Sequence, residues 1–151
     1  MIRPRLNDAL KAAMKAKDEL SVSTLRLILA ALKDRDIAAR SKGNKDGISD
    51  EEVLSLLQSM IKQRRESIAA YEKGGRMELA QKEAAEIGII EGFLPAQMSD
   101  EQITAAIDSV IASTGAASLK DMGKAMAALK QQFTGRMDFS KASALVRERL
   151  S

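Results

Sequence analysis

The sequence predicts an all-α protein. Three observations carry this: apolar residues recur at helical spacing along nearly the whole chain, runs of β-branched residues are missing, and two serine capping boxes stand at the heads of apolar stripes. In order, Leu6, Leu10 and Met14 give a short first helix with Pro4 in its first turn. Leu25, Ile28, Leu29 and Leu32 give a longer second helix, over residues 20–40. A polar, glycine-containing loop follows at residues 41–47. Ser49 with Glu52 three residues on is a capping box, in which hydroxyl and carboxylate each satisfy an orphan backbone N–H. It starts a third helix through Val53, Leu54, Leu57, Ile61, Ile68 and Tyr71, ended by Gly74 and Gly75. The fourth helix carries Leu79, Ile87, Ile90 and Leu94 and ends at Pro95. Ser99 and Gln102 form the second box, ahead of Ile103, Ile107, Val110 and Ile111, and Gly115 closes that helix. Leu119, Met122, Met126, Leu129 and Phe133 make a sixth helix, and Phe139, Ala142, Leu145 and Val146 a seventh. Pro95, Ala96, Gln97 and Met98 are the candidate hinge between residues 1–95, a larger helical bundle, and residues 96–151, a smaller three-helix unit.

Composition excludes whole classes of chemistry. The 151 residues contain no Cys, His or Trp, so disulfides, Cys/His zinc sites, cysteine nucleophiles and histidine general bases are absent. What remains for catalysis is carboxylates, Lys, Ser/Thr and the single Tyr71. No cofactor or metal is expected. The longest uncharged run, residues 109–119, is far too short for a membrane span. The first residues lack the apolar stretch of a secretory signal, and the basic N-terminal segment around Arg3 and Arg5 runs smoothly into the first helix. The expectation is a soluble, cytoplasmic protein.

The 24 basic and 21 acidic groups give a net charge of +3, unevenly spread. Residues 1–48 hold 11 basic and 6 acidic groups, a net of +5; residues 49–97 are net −3 and residues 98–151 net +1. Arg35, Arg40, Lys42 and Lys45 gather toward one loop; a solvated surface is the preferred reading, RNA contact the other.

Two helices carry a charge inside an apolar stripe. At about 100° per residue, Arg64 falls in the middle of the third helix's apolar arc and Glu83 in the middle of the fourth's. Such groups are costly to bury unless they meet, so Arg64 is expected to pair with Glu83, with Asp36 of the second helix as the competing partner. A register-fixing ion pair is preferred over an acid–base or anion site. Met122 and Met126 read as core packing rather than a promiscuous binding surface. Gly123 lies early in a helix, where it lowers helix stability; close approach of another helix or of a phosphate would account for it. Lys120, Lys124 and Arg136, near glycine corners, are candidates to grip a phosphate backbone.

Several strings then stand out together: Thr24-Leu25-Arg26-Leu27, Lys62-Gln63-Arg64-Arg65-Glu66-Ser67, Gly75-Arg76, Phe93-Leu94-Pro95, Asp121-Met122-Gly123-Lys124 and Gly135-Arg136. In order and spacing they resemble the GatB/YqeY family, specifically its free-standing YqeY-like members, over essentially the whole chain. The resemblance implies an all-helical fold with a larger N-terminal bundle and a small C-terminal three-helix unit. A homologous domain forms the C-terminal tail of the B subunit of the glutamyl-tRNA(Gln)/aspartyl-tRNA(Asn) amidotransferase. There it helps hold tRNA while activation and amide transfer occur elsewhere. This chain matches only the tail, so a carbon–nitrogen ligase label carried by similarity is one it cannot fulfil alone. The positions most like the family pattern are Lys62, Arg64, Arg65, Glu83, Gly123, Lys124, Gly135 and Arg136. The resemblance implies a non-catalytic tRNA-binding or tRNA-associated module, with Lys120, Lys124 and Arg136 as its RNA contacts. The alternative is a protein–protein adaptor for an amidotransferase or translation component, which requires an exposed apolar patch. An enzyme acting through carboxylates ranks third.

Overall fold

The computed structural model describes residues 1–151. Seven α-helices form: α1 (Ile2–Ala16), α2 (Glu19–Ser41), α3 (Asp50–Lys73), α4 (Met77–Glu91), α5 (Asp100–Thr114), α6 (Met122–Phe133) and α7 (Phe139–Leu150), with a 3₁₀ turn at Leu119–Asp121. The chain divides into two compact units, Met1–Leu94 and Pro95–Ser151.

In the first unit α3 packs along α4, α1 along α2, and α2 also meets α3 and α4. The core closes around Leu6, Leu25, Ile28, Val53, Leu57 and Ile90, all effectively removed from water. Burying a side chain of this size stabilises by about 1.5–3 kcal/mol, which is what holds helices of modest intrinsic stability. In the second unit α5, α6 and α7 pack pairwise around Ile103, Ile107, Leu129, Met137 and Val146. Met137 lies between helices, where no periodic pattern marks it as core.

Both capping boxes form. The Ser49 and Ser99 hydroxyls accept from the N–H of Glu52 and Gln102, and those side chains accept in return from the serine N–H. α2 begins one residue before the expected 20, because Asp18 caps it by accepting from the Ser21 N–H and hydroxyl.

Three expected positions shift. Met14 is half exposed and Ala13 is buried in its place. On the wheel Ala13 lies about 20° from Ile2, whereas Met14 is about 120° away, so Ala13 closes the stripe. Leu94 lies beyond α4, which stops at Glu91; the Phe93 and Leu94 N–H groups turn back onto Ile90 and Glu91 carbonyls. Leu119 does not open α6 but sits, half exposed, in the 3₁₀ turn. The Asp121 carboxylate accepts from the Ala117 N–H there, a local bond that competes with helix continuation.

Candidate functional site

The charged residues inside the first unit resolve into two arrangements. Across α3 and α4 the Arg64 Nε donates to Glu86 Oε2 at 2.9 Å and stands 3.9 Å from Glu83 Oε2, while its Nη1 donates to the Met60 carbonyl at 3.3 Å. The three side chains are largely withdrawn from solvent, Arg64 to 12 % exposure and Glu86 to 11 %. Arg64 thus meets α4 at two acids, with Glu86 the hydrogen-bonded partner. Glu86 went unnoticed in the sequence although the wheel held the signal: it falls about 20° from Leu79 on the apolar arc. Arg65 forms a separate surface pair with Glu91 at 3.5 Å.

Asp36 does not compete for Arg64. It receives both Nη atoms of Arg3 at 2.8 Å and the Ile48 N–H at 2.9 Å, and Arg3 also donates to the Ile48 carbonyl. Fork-to-carboxylate geometry explains the preference, since Arg3 offers two parallel donors at the start of α1. The Arg3 hydrogen bonds, helped by the Ile48 N–H and the charges of Arg3 and Arg40, bring the Asp36 carboxyl from an ordinary 3.8 down to about 2 against the opposing effect of burial. Arg3 is raised in turn, first by its bond to Asp36. This clamp joins α1, α2 and the loop before α3. Gly47 closes it: its φ is +85°, and a Cβ there would stand 2.6 Å from Asp36 Oδ1. Arg35, Arg40, Lys42 and Lys45 are exposed around the same loop.

In the second unit Lys120 lies in the 3₁₀ turn and Lys124 in the first turn of α6, both exposed. Gly123 between them is exposed, and nothing in the chain lies within 4 Å of where its Cβ would be. The expectation that another helix of this chain approaches Gly123 is therefore corrected. No side chain caps α6, and its first turn holds no acid. Asp121, just before it, is held below the usual carboxylate range by the Ala117 and Ser118 N–H groups and by Lys124.

Arg136 is not brought to this place. It follows α6, beyond the far end of the helix from Lys124, which is about 14 Å of helix away. Its Nε donates to the Ala96 carbonyl at 3.3 Å, and its own carbonyl accepts from the Met98 N–H at 2.9 Å. Gln97 donates to the Gly135 carbonyl at 2.7 Å beside it. Gly135 is buried with φ +81°, the left-handed geometry this corner needs. Arg136 therefore has a structural task, fastening the segment before α5 to the turn between α6 and α7. Ala96, Gln97 and Met98, from the stretch expected as a hinge, make these bonds within the second unit.

A hollow of about 560 Å³ lies at the start of α2, lined by Lys17, Glu19, Val22, Ser23, Arg26 and Leu27. Glu19 is the one carboxylate on its lining. No helix is long and apolar enough to cross a membrane.

Comparison with known proteins follows from the whole chain. A family profile described as Yqey-like protein matches residues 3–150. The protein named Altered inheritance of mitochondria protein 41, mitochondrial, of Eremothecium gossypii is 36 % identical over 108 residues, covering 70 % of this chain and 57 % of that protein. The protein of the same name from Kluyveromyces lactis is 36 % identical over 109 residues, covering 70 % and 56 %. An uncharacterized Schizosaccharomyces pombe protein is 32 % identical over 100 residues, covering 66 % and 74 %. The chain spans little more than half the length of the two mitochondrial relatives. Their names overturn the cytoplasmic expectation. That expectation rested on charge and hydropathy, which govern the folding of helical units and do not encode a compartment.

Proposed function

This chain belongs to the Yqey-like protein family, and from that premise we propose that it is a non-catalytic tRNA-binding or tRNA-associated module whose contact surface centres on the start of α6. The observation that carries the reading is the conjunction of Lys120 and Lys124 one turn apart with an open glycine between them at the start of α6. The missing Cβ leaves room for a phosphate oxygen, and the two lysines supply charge that outweighs the single Asp121 carboxylate at the N-cap. The resemblance of this unit to the tRNA-holding tail of the amidotransferase B subunit supports the same assignment. Arg136 lies past the far end of α6, about 14 Å of helix from Lys124, a spacing suited to a run of phosphates rather than a single one. The mitochondrial names of the relatives make the mitochondrion the compartment in which to look for the RNA.

The test is tRNA binding by the purified protein across a salt series, with Lys120→Ala/Lys124→Ala alongside. Affinity should fall steeply with salt, and each lysine removed should lower the log–log slope by about 0.7–0.9. Arg136→Ala should weaken binding and also loosen the second unit, so it is read together with a thermal melt. Absence of binding at low salt, or binding indifferent to ionic strength, would overturn the reading.

A further inference from the structure

The solvent face of α6 carries no acid. The helix contains neither Asp nor Glu, and at about 100° per residue Gly123, Lys124, Ala127, Lys130 and Gln131 share one exposed arc of about 120°. The opposite arc, with Ala125, Leu129 and Phe133, packs into the core of its unit. Lys120 stands exposed just ahead of the helix. The ion pairs of this unit join Lys141 to Asp100 and Arg149 to Asp108, so Lys120, Lys124 and Lys130 are all unpaired. Residues 119–133 hold three cations against one acid, Asp121, whose carboxylate accepts from the Ala117 N–H.

The layout of the face is as specific as its charge. Lys124 and Lys130 stand at its opposite edges, about 120° apart around the axis and about 9 Å apart along it. Between them run Gly123, Ala127 and the Gln131 amide. The small side chains let the helix backbone come close to whatever covers it, while a cation reaches out on either side.

We propose that this face of α6 lies in the minor groove of a base-paired RNA stem, a deepening that rests on the RNA reading above. In A-form RNA the major groove is too deep and narrow for side chains to read, whereas the minor groove is wide, shallow and lined with 2′-hydroxyls. Gly123 and Ala127 would sit over the groove, and Lys124 and Lys130 would each meet phosphates of one bordering strand. The Gln131 amide both donates and accepts hydrogen bonds, which matches a hydroxyl that does the same. Single-stranded RNA fits less well, because it is held largely by bases stacked on aromatic rings. The unit has two aromatic residues, Phe133 and Phe139, and both are packed on its core.

The experiment measures binding of the full-length protein, at one low salt concentration, to three probes: an RNA hairpin with a stem of about 16 base pairs, a DNA hairpin of the same sequence, and oligouridine of equal charge. The RNA stem should bind about fivefold or more tightly than either of the others, since the DNA lacks the 2′-hydroxyl and the oligouridine lacks the groove. Ala127→Leu adds bulk without charge at an exposed position; it should weaken binding of the RNA stem about fivefold or more with an unchanged thermal melt. Gln131→Ala should shrink the preference for RNA over DNA, and Lys130→Ala should lower affinity together with the salt slope. Equal or tighter binding of the DNA hairpin or of oligouridine, or wild-type binding of the RNA stem by Ala127→Leu, would overturn the groove assignment. If tRNA binding and its loss in Lys120→Ala/Lys124→Ala persist in that case, the RNA module stands without it. If no tRNA binds at low salt, both fall.

Discussion

Asp36 draws three donors from two other stretches of chain: both Nη atoms of Arg3 and the N–H of Ile48. Its carboxyl is depressed to about 2, so its contribution is full above the ordinary 3.8 and is lost as pH falls from there through about 2. Asp36→Asn should therefore destabilise the protein by about 1–2 kcal/mol near neutral pH, a figure already reduced for partial solvent screening. The difference from wild type should vanish toward pH 2, which urea unfolding of both proteins across pH would measure. Gly47→Ala should cost about 1–3 kcal/mol, because it combines a positive φ with a Cβ driven against Asp36; the same unfolding curves test it. This site was half legible. Asp36 stands out as an acid on the apolar side of α2, but its partner lies 33 residues away in a segment that reads only as a basic helix start. Periodicity fixes which way a side chain faces along its own helix and is silent about what it meets.

The helices themselves are the most legible layer, because their signals are local. Ser49→Ala and Ser99→Ala should each cost about 1 kcal/mol in chemical denaturation, the usual loss when a side-chain cap is removed. Between elements, Arg64 ties α3 to α4. Arg64→Met alone would leave Glu86, 11 % exposed, without its partner, and should cost about 3 kcal/mol. Arg64→Met with Glu86→Leu removes both charges and should recover much of that loss, a double-mutant cycle that separates the pair's own contribution from the penalty of an orphaned acid. The wheel turns Arg64, Glu83 and Glu86 alike toward the apolar arc. Choosing between the acids depends on how far α3 has slid along α4, and packing of both helices sets that. Leu119 shows the opposite case, in which a helical pattern yields to one hydrogen bond, that from the Ala117 N–H to Asp121.

At the scale of the molecule, each of the two units closes its own hydrophobic core, one from Ile2 to Ile90 and the other from Ile103 to Leu150. Fragments 1–94 and 95–151 should therefore each show helical circular dichroism and a cooperative melt, the second near the lower size limit for a domain without disulfides. Sequence by itself determined the all-helical class, the starts of α3 and α5, and the family, because helix period, capping and motif order are properties of residues close together along the chain. The tertiary structure alone decided that Asp36 belongs to Arg3, that Glu86 outranks Glu83, and that Arg136 is fastened to Ala96, past the far end of α6 from Lys124. Those outcomes depend on where separate helices come to rest against each other. Burial sets that position through the fit of many apolar side chains at once, and no single residue's spacing records it.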